Sequence, residues 1–98
     1  MEELVKAIEM WASERGIFTE GTKEGQANKM LEEARELWNA VREENRIEVK
    51  DGIGDVFVTL VILSKMYGWD LRECVEYAYK QIKDRKGKMI NGQFVKEE

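Results

Sequence analysis

The sequence predicts an all-α protein, and three observations carry that prediction. No proline interrupts the 98 residues, good helix formers (Glu, Lys, Leu, Ala) are abundant, and apolar residues recur at helical spacing. The expected architecture is a four-helix bundle in one domain, residues 1–98, completed by oligomerisation, with a short hairpin at its C-terminal end.

The first helix is expected over 2–15, where Leu4, Val5, Ile8, Trp11 and Ala12 fall on one face and Gly16 stops the run. Residues 17–21 read as a loop ending in Gly21, with Thr22 as N-cap of the second helix, 22–43. Its core stripe is Ala27, Met30, Leu31, Ala34, Leu37, Trp38 and Val41, which share about 120° of arc. Gln26, Lys29, Glu33 and Glu36 form a polar flank beside that stripe.

After a polar connection at 44–47, a third helix is expected over 48–67, ending at Gly68. Its segment from Val56 to Leu63 is apolar nearly all round and must be covered on every side, which calls for a second subunit. The rival for that segment is a buried strand, but no other stretch of comparable length offers it a partner. Asp70 is the expected N-cap of a fourth helix, 71–86, with Cys74, Val75, Ala78 and Ile82 inward and Cys74 an inert buried thiol. Asn91-Gly92 between short apolar pairs is a hairpin signal. Trp11 and Trp38 lie on core stripes, with base stacking as the alternative role. Trp69, beside Gly68, reads as a helix-junction anchor.

Composition excludes several classes of chemistry. The net charge of −4 argues against general nucleic-acid binding, although the basic run Lys80–Lys88 keeps that rival in view. A single cysteine, a start without a basic-then-apolar leader, and no apolar run long enough for a bilayer together point to a cytoplasmic protein with no membrane partner. There is no histidine, so histidine-based triads and general bases are excluded. Any metal chemistry must run on carboxylates, which select hard cations such as Mg2+ or Mn2+.

Two acidic groups carry the functional reading. Glu32, Glu33 and Glu36 form Glu-Glu-x-x-Glu, whose members at three- and four-residue spacing are neighbours on a helix surface and repel one another. A solvated acidic face is the plain alternative. The second group, Asp51 and Asp55, stands at the start of the most apolar segment, a poor place for carboxylates that serve only solubility. Antiparallel packing of the second and third helices would bring Glu33, Glu36, Asp51 and Asp55 together, where cations would relieve their repulsion.

At these residues the sequence resembles the MazG-like all-α nucleoside triphosphate pyrophosphohydrolases, especially the small phage and prophage type. The resemblance runs from Trp11 with Arg15-Gly16-Ile17, through Gln26-x-x-Lys29 and Glu32-Glu33-x-x-Glu36-Leu37, to Asp51-x-Ile53-Gly54-Asp55. It continues with Tyr79, Ile82-Lys83-x-Arg85-Lys86-Gly87-Lys88 and Asn91-Gly92-x-Phe94-Val95. The family pattern is Glu-Glu-x-x-Glu followed by Glu-x-x-Asp. It implies metal ligands at Glu33, Glu36 and Asp55, whereas the Glu of Glu-x-x-Asp falls on Gly52, which cannot ligate. Asp51, four residues before Asp55 on the same face, is the substitute.

The resemblance implies Mg2+-dependent (Mn2+ allowed) conversion of a nucleoside triphosphate and water to a monophosphate and pyrophosphate. Glu32 is then the candidate to orient or deprotonate the water, Gln26 to read sugar or base, and Lys29 to neutralise phosphate. An ion pair with Glu33 is the equal alternative for Lys29. Lys83, Arg85, Lys86 and Lys88 would grip pyrophosphate, or simply complement a helix C-terminus. The implied partners are a nucleoside triphosphate and further copies of the chain, as homodimer or homotetramer. The rival from another class is a non-catalytic helical interaction module.

Overall fold

A computed structural model describes residues 1–97. Over that range the chain forms α1 (Glu2–Glu14), α2 (Ile17–Glu20), α3 (Lys23–Arg42), α4 (Arg46–Met66) and α5 (Leu71–Ile82). A two-stranded hairpin follows, β1 (Gly87–Ile90) with β2 (Gln93–Lys96). The all-α class is as expected, and the segment 56–63 is helix rather than strand.

Local chemistry explains where the elements begin and end. Gly16 sits in the left-handed region at φ 74°, a conformation glycine adopts without steric cost, and it reverses the chain after α1. Its carbonyl then accepts the Glu20 N–H at 2.8 Å, so the expected loop at 17–21 instead closes into the single turn of α2. Thr22 caps α3 as expected, its hydroxyl oxygen accepting the Gly25 N–H at 2.9 Å. The connection after α3 is shorter than expected because the Asn45 side chain caps α4, accepting the Glu48 N–H at 3.2 Å.

Asp70 caps α5 in a reciprocal capping box with Glu73, a device that satisfies two otherwise orphaned N–H groups. The helix stops at Ile82 rather than 86, since the hairpin claims the next residues: the Lys86 carbonyl accepts the Glu97 N–H at 2.8 Å, extending the strand pairing. The hairpin register is Gly87–Lys96, Lys88–Val95, Met89–Phe94 and Ile90–Gln93. Its two-residue turn holds Asn91 at φ 50° and Gly92 at φ 82°, the positive values that a tight right-twisting hairpin requires.

The centre of the protein is the α3–α4 pair. Gln26 near the start of α3 bonds Thr59, while Leu37 further along α3 lies against Gly52, earlier on α4. The order is reversed between the two helices, so they run antiparallel. α1 lies along α4 and α5 folds back against it, burying Ala12 and Leu71, and together with Ala40, Val61 and Ile62 these form the buried apolar core.

Much of the apolar surface remains outside that core, and here the structure corrects the sequence reading. Trp11 and Trp38 are 44% and 58% exposed, each with an arginine, Arg15 or Arg42, stacked over its ring. Leu31 and Val41 on α3, and Ile53 and Leu60 on α4, are also exposed. On α5, Val75, Ala78 and Ile82 face solvent rather than inward, and Cys74 is half-buried. The reason is geometric: α1, α3 and α5 flank α4 without enclosing it. The accessible area of 8,295 Å² is well above the roughly 5,800 Å² that a folded monomer of this mass exposes. Trp69, at the α4–α5 junction, is stacked on Tyr67 with ring centroids 5.3 Å apart, and both rings remain about half exposed.

Candidate functional site

The antiparallel pairing brings Glu36 of the first acidic group, but not Glu32 or Glu33, to one cleft with Asp51 and Asp55 of the second. A cleft of about 330 Å³ opens between α3 and α4, lined by Glu36, Asn39 and Ala40 from α3 and by Glu48, Asp51, Gly52 and Asp55 from α4. Helical spacing places each set on one face: Glu36, Asn39 and Ala40 within one turn, and Glu48, Asp51, Gly52 and Asp55 over two. Sequence reasoning assigned no role to Asn39 or Glu48. The available signal was their three-residue spacing from Glu36 and from Asp51.

The carboxylates stand near enough for their charges to act on one another. The Glu33 charge foremost, then burial, pushes the Glu36 carboxyl above the ordinary range. Burial foremost, then the charges of Asp51 on the same helix and Glu33 across the helix pair, raises Asp55. Lys29 opposes both shifts. Its ammonium lies 3.5 Å from Glu32 and 3.5 Å from Glu33, and these partners raise its own pKa, Glu32 contributing most. Glu33 is largely covered, its side chain 14% exposed, whereas Glu32 points to solvent at 57%.

The cleft's acidic groups are carboxylates, the oxygen donors that hard divalent cations take, and the Lys29 charge acts on both Glu36 and Asp55. As the side chains stand, no three acidic or cysteine groups among the described residues converge closely enough to cage an ion.

The remaining predicted residues are placed less directly. Gln26 is buried, and its Nε2 donates to the Thr59 carbonyl at 3.2 Å, so this amide joins α3 to α4. Lys83, Arg85, Lys86 and Lys88 are all exposed around the start of the hairpin. They do not line the cleft.

The central antiparallel pair of this helical protein thus sets Glu36 of α3 and Glu48, Asp51 and Asp55 of α4 around one cleft. Residues 21–90 match the MazG nucleotide pyrophosphohydrolase domain, and the chain belongs to that family. It is also similar to an uncharacterised 18.2 kDa protein from the rep-hol intergenic region of Haemophilus phage HP1, at 40% identity over 65 residues. That match covers 66% of this chain and 40% of the relative, so the chain spans about two fifths of that protein's length. No solved structure matches. Among the described residues no helix is long and apolar enough to cross a membrane.

Proposed function

We propose that the chain is a Mg2+-dependent nucleoside triphosphate pyrophosphohydrolase, converting an NTP or dNTP and water to the monophosphate and pyrophosphate by attack at the α-phosphorus. The observation that carries this reading is the family match over residues 21–90, supported by the cleft that Glu36 of α3 and Asp51 and Asp55 of α4 line together. Glu33, Glu36, Asp51 and Asp55 are the residues that would hold the ions. Magnesium, or manganese, supplies neutralisation of phosphate charge and acidifies water when bound there. Glu32, exposed beside these ligands, orients or deprotonates the attacking water. Lys29, paired with Glu32 and Glu33, balances carboxylate charge and would be free to neutralise phosphate were cations held there. The basic residues Lys83, Arg85, Lys86 and Lys88, on a segment outside the cleft, grip the pyrophosphate from a neighbouring copy or after the hairpin moves.

Assembly as a homodimer or homotetramer in the cytoplasm belongs to this proposal. An accessible area some 2,500 Å² beyond that of a typical monomer is on the scale that obligate interfaces bury. The biological role that follows is control of the nucleotide pool.

Replacing Glu36 by Gln tests the assignment. It is expected to abolish Mg2+-dependent pyrophosphate release while the circular dichroism spectrum stays unchanged; persisting activity would reject the metal site. Gly52, standing where the family pattern has a ligand, favours one second reading, a non-catalytic helical module. Thermal unfolding with Mg2+ or Mn2+ and a non-hydrolysable triphosphate separates the two, because a ligand of the folded state raises the melting temperature by mass action.

A further inference from the structure

Leu71, Val75, Ala78 and Ile82 lie within about 60° of arc on α5, a narrow apolar stripe. The chain itself buries Leu71, but Val75 and Ile82 are 57% and 49% exposed and Ala78 is open to solvent. A helix of 12 residues is marginal in water without a packing surface. The two-stranded hairpin that follows is no firmer by itself. The radius of gyration is 15.6 Å, against about 13 Å for a compact domain of this length. The segment from α5 onward therefore needs a surface that this chain does not supply.

The stripe starts inside a groove of about 800 Å³, where Leu71 and Val75 meet Met1 and Val5 at the start of α1 and Phe57 of α4. It then runs out of the groove past Ala78 to Ile82. Around the groove stand Glu2, Glu9, Asp70 and Glu76 against Lys6 and Arg72, so the rim is acidic. Arg72 is already tied to Glu2 and to Glu76, at 2.8 Å each. The far end of α5 is the reverse, with Lys80 in its last turn and Lys83 and Arg85 just beyond, opposed by Asp84. An occupant of this groove must be apolar and basic at once. The open end of the same helix meets both demands.

We propose that α5 is a homotypic interface, in which two copies of the chain pair their α5 helices antiparallel about a two-fold axis. Leu71 then faces Ile82, and Val75 faces Ala78, of the second copy. The basic end of each helix lies by the acidic rim of the other, and the two helix dipoles are opposed. Parallel pairing would instead set like ends together. An ordinary interface buries about 800 Å² per partner. That is well within the roughly 2,500 Å² by which the accessible area exceeds a typical monomer's, so the exposed residues of α3 keep room for a contact of their own. The inference rests on the assembly proposed above, to which it gives an interface, and not on the reaction.

Sedimentation velocity at micromolar concentration tests it. Ile82→Glu, which buries an unpaired charge in the paired state, is expected to halve the sedimenting mass of the wild-type assembly. Tyr77→Glu, an equal charge about 130° round the same helix, is expected to leave it unchanged. An equal effect of the two would overturn the proposal. Direction is read by cross-linking in a Cys74→Ser background. Under mild oxidation, Val75→Cys/Ala78→Cys is expected to give a disulfide-linked dimer, and Val75→Cys alone is not. Cross-linking by Val75→Cys alone would overturn the antiparallel arrangement, and should Ile82→Glu fail to fold, the cross-link decides. An oligomeric wild type that neither responds to Ile82→Glu nor cross-links would reject this interface and leave the assembly standing. A monomeric wild type would reject both.

Discussion

The side-chain amide of Gln26 donates to the backbone carbonyl of Thr59 across 3.2 Å, joining α3 to α4 between positions 33 residues apart in sequence. Thr59 is itself buried and donates its hydroxyl to the Val56 carbonyl at 2.6 Å. A polar cross-link in the helix interface sets the register in which the acidic groups face each other.

Gln26→Ala is therefore expected to destabilise the protein by about 1–2 kcal/mol, from the lost bond and the space left behind. Urea denaturation measures this, and an unchanged midpoint would show that the cross-link contributes nothing. If Gln26 also contacts the nucleotide, KM rises in the same variant under conditions where it remains folded.

Removing carboxylate repulsion should stabilise the metal-free protein. Asp55→Asn is expected to raise the melting temperature in EDTA, since the burial and neighbouring charges that raise its pKa disfavour its ionised form. The same variant should lose the increase in melting temperature produced by Mg2+. A fall in the metal-free melting temperature would mean that Asp55 stabilises the fold through its charge.

The pH dependence follows from the direction of the shifts. Glu36 and Asp55 have raised pKa values, so the folded state holds their protons more tightly than the unfolded state does. The stability they contribute is complete below the ordinary carboxylate range and is lost as pH rises through the raised values. In EDTA, wild type should thus lose stability as pH rises above the ordinary carboxylate range. The double variant Glu36→Gln/Asp55→Asn should show a flatter profile over that window, and an identical profile would dismiss these two groups as its source.

Assembly is open to a direct measurement. Analytical ultracentrifugation of wild type is expected to give a dimer or tetramer. Trp38→Glu, which places a charge among the exposed Leu31, Trp38 and Val41 of α3, should shift the distribution toward monomer. A monomeric wild type at micromolar concentration would remove the oligomer from the functional proposal.

The sequence made the framework legible wherever the governing physics is local. Thr22 and Asp70 cap helices because short oxygen-bearing side chains reach nearby N–H groups, and Asn91-Gly92 turns because both residues tolerate positive φ. The spacing of Glu33/Glu36 and Asp51/Asp55 foretold that each pair shares a face. What escaped depends on how elements meet. Asn45 and Gly16 adjust helix ends through bonds that spacing alone does not reveal. Trp38, Val75 and Ile82 have the periodicity of core residues, and periodicity identifies an apolar face without saying whether this chain covers it. Glu48 shares a helix face with Asp51 and Asp55 in the sequence, and Asn39 follows Glu36 by three, but that both line one cleft shows only once α3 and α4 are set against each other.

The hairpin at the C-terminal end has a consequence of another kind. Its eight strand residues are all exposed, and a sheet of two strands leaves both outer edges without hydrogen-bonding neighbours. Such edges, carrying Met89, Ile90, Phe94 and Val95, are templates for pairing with other chains and for aggregation. Lys86, Lys88 and Lys96 put positive charge along them, and like charges on two approaching edges repel. The lysines thus protect solubility, and removing them to probe phosphate binding would also strip the hairpin of its defence against misassembly.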